Sequence, residues 1–237
     1  MPRYRSLDPG EIVRTLEALS TRIEERFPGS GLGRLCAELL DVARHAQARA
    51  AWIARPLAGL RAGAWVLVTL IIAALVTTLV TFRMPEQGFD LVQFIQVLEA
   101  GINDVVLIGV AVFFLVTLET RVKRRRALDA LHELRVIAHI IDMHQLTKDP
   151  ERVAGPGGDT QSSPRRSLAP AELGRYLDYC SEMLSLTGKI AALYVQRFPD
   201  TVAVATVNEI EDLTTGLSRK IWQKLMILHG SAGRPPA

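Results

Sequence analysis

The sequence predicts an all-α fold in which two transmembrane helices are joined to a cytoplasmic helical bundle. Apolar residues recur at spacings of three and four along most of the chain, and no run alternates as a half-buried strand would. The segment 62–82 has 21 residues without a charge. At about 1.5 Å per residue it is long enough to span the apolar core of a bilayer, which is roughly 30 Å thick. Basic residues cluster beside the apolar segments, which also favours a membrane protein.

Residues 1–56 are predicted to form a helical hairpin. Asp8 has the position of an N-cap, with Pro9 at the first helical position and Glu11 at the third. The segment FPGSGLG, 27–33, then joins this helix to a second one that ends before Pro56. No strand precedes these glycines and no Lys-Ser/Thr pair follows them, so they predict a helix–helix turn and not a phosphate-binding loop.

Two membrane spans are predicted, over 57–83 and 100–120. Because 61 residues precede the uncharged segment, we do not expect a cleavable signal peptide. Between the spans, 84–99 is predicted to hold an external loop and an amphipathic helix lying on the outer surface. The alternative is that this helix is an overlong extension of the second span. The apolar stripe behind both interpretations consists of Leu91, Ile95, Leu98 and Ile102.

Small side chains recur every four residues along the first span. In lipid such a stripe lets a second helix approach closely. The sequence therefore predicts a helix-packing contact along Thr69, Ala73, Thr77 and Thr81.

The basic residues also predict the orientation. Arginines precede the first span and a basic run, 121–126, follows the second, whereas the connecting loop has only Arg83 against Glu86 and Asp90. The positive-inside rule then places both termini in the cytoplasm. Because Arg greatly outnumbers Lys, composition favours a bacterial source, and so the bacterial inner membrane. The expected partners are the lipid bilayer and proteins, and not nucleic acid.

The rest of the chain is predicted to be helical except for one linker. A His-rich helix is expected over 121–149, a flexible linker over 150–169 and a helical hairpin over 170–230, with a tail over 231–237. Phe198-Pro199-Asp200 is predicted to end one helix of this hairpin and to cap the next. The two cysteines, on apolar helical faces, do not indicate a disulfide framework; they are Cys36 and Cys180.

The strongest functional signal is a narrow polar stripe on the His-rich helix, here called the polar seam: His132, Arg135, His139 and Asp142. Their spacings of three, four and three align them on one helical face. The seam is interpreted as helix-face ion pairs or a polar interface with the last helix, and alternatively as a pH switch. A zinc ion cannot bind His132 and His139 together, since seven residues separate them by about 10 Å. A metal site would need His139 and Asp142 with partners from another helix, for which the candidates are Glu209, Glu211 and Asp212.

The tetrapeptide His132-Glu133-Leu134-Arg135 resembles the phospho-accepting helix of sensor histidine kinases, which also follows a membrane span. The resemblance covers four residues, and Val136-Ile137 stand where Thr-Pro usually follows. No ATP-binding domain is expected in the remaining chain, so a kinase is not predicted. The resemblance implies at most a phosphotransfer helix centred on His132 or His139.

Polar groups near the second span form a candidate intramembrane site of Glu99, Asn103, Asp104 and Glu119. Acids inside a bilayer are costly and usually face protein or water. In an oligomer, Asp104 and Glu99 could form acidic rings that favour cations. The other interpretation is that these groups hydrogen-bond across a helix interface or reach outward to the headgroups.

Together these patterns predict a non-enzymatic protein without a cofactor: a membrane-anchored assembly, scaffold or regulatory module. A homo-oligomer is expected, and a cytoplasmic protein is the expected further partner. The alternative is a cation channel or transport subunit that uses Asp104 and Glu99. A metal-binding or phosphotransfer helix centred on His132 and His139 is the third hypothesis.

Overall fold

The computed structural model describes residues 6–81, 91–148, 150, 161–162 and 168–232. The described residues contain no strand, and the fold is all-α with 88% helix. They form six helices: α1 Pro9–Arg26, α2 Gly31–Ala54, α3 Ala58–Thr81, α4 Leu91–Leu146, α5 Pro170–Val195 and α6 Thr201–Ala232.

The chain divides into two compact units. The first, here called the bundle unit, comprises Met1–Ala54 and Arg126–Ala237. The second, the apolar unit, is Arg55–Arg125. α4 contributes its first part to the apolar unit and its last part to the bundle unit. The N-terminal and C-terminal hairpins therefore belong to one folded body although about 115 residues, 55–169, lie between them in sequence.

The bundle unit is built around one apolar core. α1 packs on α2 and α5, α2 packs on α5, and α5 packs on α6. α4 contributes four fully buried apolar side chains at helical spacing to this core: Leu131, Leu134, Ala138 and Ile141 are each 0% exposed. Each fully buried leucine or isoleucine contributes roughly 1.5–3 kcal/mol relative to an exposed one. This shared core holds the two hairpins and the end of α4 together.

The predicted helix starts of α1 and α6 are confirmed by their caps. The Asp8 carboxylate accepts a hydrogen bond from the Gly10 backbone N–H at 2.8 Å, with Pro9 in the first turn. The Asp200 carboxylate accepts from the second and third residues of the following segment, Val202 and Ala203, at 3.1 and 3.2 Å. Each carboxylate satisfies N–H groups that a helix start leaves without intrahelical partners.

The apolar unit exposes its hydrophobic side chains. α3 presents Trp65 at 71% exposure, and α4 presents Phe113 at 66%. The stretches Gly31–Ala73 and Gly101–Leu146 each contain a helical window long and apolar enough to cross a membrane, and neither window is buried. α4 runs unbroken from Leu91, so no break in the helix separates the apolar stripe that begins there from the predicted second span.

Candidate functional site

Arg135 and Asp142 of the polar seam are held by neighbouring side chains. Arg135 forms an ion pair with Glu209 of α6. Asp142 accepts a hydrogen bond from the amide of Gln145, which is 1% exposed. The backbone carbonyl of Gln145 in turn accepts a hydrogen bond from Lys224 Nζ of α6 at 2.7 Å. The Arg135–Glu209 and Gln145–Lys224 contacts hold the last part of α4 against α6. Two of the four seam residues, Arg135 and Asp142, therefore have structural partners.

The other two seam residues, His132 and His139, are exposed. In the part of the chain that the structure describes, no three side chains of His, Cys, Asp or Glu are grouped so as to hold a metal ion. Among those described residues, no third ligand therefore joins His139 and Asp142. The pH-switch, metal and phosphotransfer interpretations of the seam stay predictions.

The most enclosed of the three histidines on α4 is His144, which the seam does not include. Its Nδ1 lies 3.4 Å from the Tyr176 hydroxyl of α5. At the start of α2, a Cβ added to Gly31 would lie 2.7 Å from His144 Cε1. Burial lowers the pKa of His144, and the positive charges of Arg34 and Lys148 lower it further. His144 therefore lies between α2 and α5, in surroundings that favour its neutral form.

An aromatic cluster beside His144 joins the α1–α2 turn to α5. The Phe27 ring meets the rings of Tyr176 and Tyr179 edge to face, with centroids 5.6 and 6.3 Å apart. Arg22 of α1 lies over the Tyr179 ring at 5.7 Å and pairs with Glu182 at 2.6 Å. Edge-to-face aromatic pairs contribute about 0.5–1.5 kcal/mol beyond the area they bury. The cluster therefore packs the residue that ends α1, Phe27, against α5.

Glu119 of the candidate intramembrane site connects the two helices of the apolar unit. Its carboxylate pairs with Arg61 of α3 and with Lys123 one turn further along α4, the latter at 2.8 Å. It also accepts a hydrogen bond from the Leu57 backbone N–H at 3.3 Å, just before α3 begins. The Glu119 carboxylate is therefore bound by groups on both sides of the α3–α4 contact, and these groups are not members of the candidate intramembrane site.

Among the described residues, no contact brings the other members of the candidate intramembrane site together. Glu99 and Asn103 are exposed. The side chain of Asp104 lies outside the described residues. The cation-channel hypothesis stays a prediction. It can be tested by comparing the cation currents through reconstituted wild-type protein and through the Asp104→Asn variant.

The helix-packing stripe is exposed where the structure describes it. The Thr69 hydroxyl donates to the Trp65 carbonyl at 2.9 Å, and the Thr77 hydroxyl donates to the Ala73 carbonyl at 2.8 Å. Both hydroxyls thus bond within their own helix, as threonines facing an apolar surface do. The side chain of Thr81 lies outside the described residues, and the packing contact itself stays a prediction.

A groove of about 1050 Å³, here called the Trp222 groove, lies between α1, α5 and α6 in the bundle unit. The indole of Trp222 stands on its rim and is 63% exposed. Its floor consists of buried apolar side chains: Ile12, Leu186, Ile221 and Leu225. A cavity of this size can hold several side chains of a bound segment or a small ligand.

The charged groups that line the Trp222 groove are paired with neighbouring side chains, inside or outside the groove, or with the backbone. Arg175 lies 3.7 Å from Asp178, and Glu182 pairs with Arg22. The Asp8 carboxylate caps α1. Sequence reasoning missed this groove because its walls come from three helices. The one feature of the sequence that could have indicated the groove is Trp222, which lies away from the apolar stripe of α6.

Comparison with known protein families, curated proteins and solved structures finds no match for this chain.

Proposed function

We propose that this chain is a membrane-anchored adaptor. Its two apolar helices cross a bilayer, and its bundle unit binds an apolar segment of another protein in the Trp222 groove. The observation that carries the proposal is the groove itself, because it combines a buried apolar floor with a large exposed indole. Exposed tryptophans in concave surfaces are typical anchors of protein interfaces.

The membrane part of the proposal is supported by the exposure of the apolar unit. In water, contiguous exposed apolar surface of this extent would favour aggregation, since each Å² costs about 25 cal/mol. Within a bilayer the same side chains contact acyl chains, and a helix satisfies all its backbone hydrogen bonds internally. The predicted orientation, with both termini in the cytoplasm, would place the bundle unit there.

The chemistry of the groove favours an apolar protein segment over a charged small molecule. The Arg175–Asp178 and Arg22–Glu182 pairs leave these four side chains without an unbalanced charge to attract an ionic ligand. The rim supplies serine hydroxyls, among them Ser181, which can bond to the polar side of a bound segment. An amphipathic helix that places its apolar face on the floor and Trp222 fits these features.

Photo-crosslinking in the native membrane tests the adaptor proposal. A benzophenone amino acid at Trp222 should give one discrete product with a different protein. The same group at Ile227, on another face of α6 and 42% exposed, should not. Filling the groove with Ser218→Arg should abolish the product, whereas Thr215→Arg, an exposed position that does not line the groove, should leave it.

Three results would overturn the proposal. Equal products from Trp222 and Ile227 would show that the groove is not selective. A product made only of two copies of this chain would make the groove a self-interface instead. Release of the wild-type protein from membranes by alkaline extraction would refute the membrane anchor.

A further inference from the structure

We infer that Arg121 and Arg125 bind the phosphate of anionic phospholipids where α4 leaves the bilayer. The inference rests on the proposed membrane crossing, because only a helix that enters the bilayer brings this surface to the headgroups. It adds a lipid specificity to that proposal. It concerns one face of α4, here called the lipid face, which carries Leu107, Val110, Phe114, Arg121 and Arg125.

The lipid face changes from apolar to cationic along the helix axis. At about 100° per residue, its five side chains fall within an arc of about 60°. All five are exposed. The Arg121 guanidinium lies 5.2 Å from the centroid of the Phe114 ring, so its apolar stem runs back along the helix toward that ring. This order, hydrocarbon first and cation after it, matches the order of acyl chain and phosphate in a phospholipid.

On the opposite face of the same basic run, 121–126, the basic side chains contact other residues of this chain. Lys123 is 8% exposed and pairs with Glu119 at 2.8 Å. The Arg126 guanidinium lies 3.8 Å over the Trp52 ring. Two basic side chains of the run therefore have intramolecular roles, and Arg121 and Arg125 point to the other side.

Arginine suits a phosphate ligand for a geometric reason. Its planar guanidinium donates two parallel hydrogen bonds to two phosphate oxygens and keeps its charge at every physiological pH. Each basic residue close to an anionic membrane surface strengthens association by about fivefold. Two arginines on one face should therefore favour phosphatidylglycerol over phosphatidylcholine by roughly 10- to 30-fold.

Native mass spectrometry of the full chain released from nanodiscs tests the inference. The discs hold equal amounts of phosphatidylglycerol and phosphatidylcholine, and the ratio of the two retained lipids is measured. Wild-type protein should retain phosphatidylglycerol preferentially. Arg121→Gln with Arg125→Gln should lose most of that preference, and Arg121→Lys with Arg125→Lys should keep most of it.

The matched control removes the same charge from the opposite face, through Lys123→Gln with Arg126→Gln, and should leave the lipid ratio nearly unchanged. An equal loss in this control would refute the inference, since net charge alone would then set the ratio. Displacement of the lipid by inorganic phosphate would also refute it, because the site would then recognise free phosphate.

Failure of the inference and failure of the membrane anchor are distinguishable. Protein that resists alkaline extraction but retains both lipids equally refutes the lipid site alone. Protein that alkaline extraction releases refutes the membrane crossing, and the lipid site with it.

Discussion

Replacing Gly31 with alanine is expected to lower the free energy of unfolding of the bundle unit by about 0.5–2 kcal/mol. The new Cβ would lie 2.7 Å from His144 Cε1, far inside the contact optimum of about 3.5–4.0 Å between carbon atoms. The imidazole has little room to turn, because its Nδ1 lies 3.4 Å from the Tyr176 hydroxyl. Overpacking of this kind costs about 1–3 kcal/mol, and the gain from replacing a helical glycine offsets about 0.5–1 kcal/mol.

Chemical denaturation of the full chain in mild detergent, followed by circular dichroism, measures this change. Gly216→Ala is the matched control, because it makes the same substitution inside α6, where nothing lies within 4 Å of the added Cβ. It should raise the free energy of unfolding by about 0.5–1 kcal/mol. The two substitutions should therefore act in opposite directions.

A double-mutant cycle identifies the clashing partner. With His144→Ala as background, the ring is gone and Gly31→Ala should no longer destabilise the bundle unit. The packing of His144 against α2 would be refuted if the two substitutions were additive within about 0.5 kcal/mol. A stabilising effect of Gly31→Ala equal to that of Gly216→Ala would refute it as well.

Two further predictions concern titrating groups in the bundle unit. Because burial, Arg34 and Lys148 lower the pKa of His144 below 6.5, the unfolded chain takes up this proton first, and stability should fall as pH drops below about 6.5. Unfolding midpoints between about pH 5 and pH 8 measure this fall, and an unchanged slope in His144→Gln would contradict it. Burial raises the pKa of the Cys36 and Cys180 thiols to about 11 and about 12, so both should react with a maleimide only after unfolding. Rapid labelling of the folded chain would contradict that burial.

Helix starts could be predicted from the sequence because their chemistry is local. Asp8 and Asp200 each bond to N–H groups only two or three residues away, so a four-residue pattern contains the whole interaction. The turn at Gly29 is local in the same way, since a φ of +66° there suits glycine. No tertiary contact is needed to explain any of these features.

The unity of α4 was harder to predict, because its side-chain pattern changes along its length. From Leu91 to Ile102 the apolar residues form one stripe, whereas 105–118 is apolar on every side. That change suggested two elements, one on the membrane surface and one within the membrane. The backbone contains no proline between Leu91 and Leu146, and isolated glycines such as Gly109 are tolerated within helices. The helix is continuous because it contains no breaker, and only the pattern of its side chains changes along its length.

The histidines show why the candidate site was only partly predictable. Periodicity correctly aligned His132 and His139 on one face, but it could not show whether another helix covers that face; they are exposed. The buried stripe ending at Ile141 continues, three and four residues later, to His144 and Gln145. A polar side chain on the continuation of a buried stripe must find a partner there, because an unpaired buried polar group costs about 1–3 kcal/mol. This extrapolation points to His144 from sequence alone, whereas Gly31 and Tyr176, distant in sequence, emerge only from the fold.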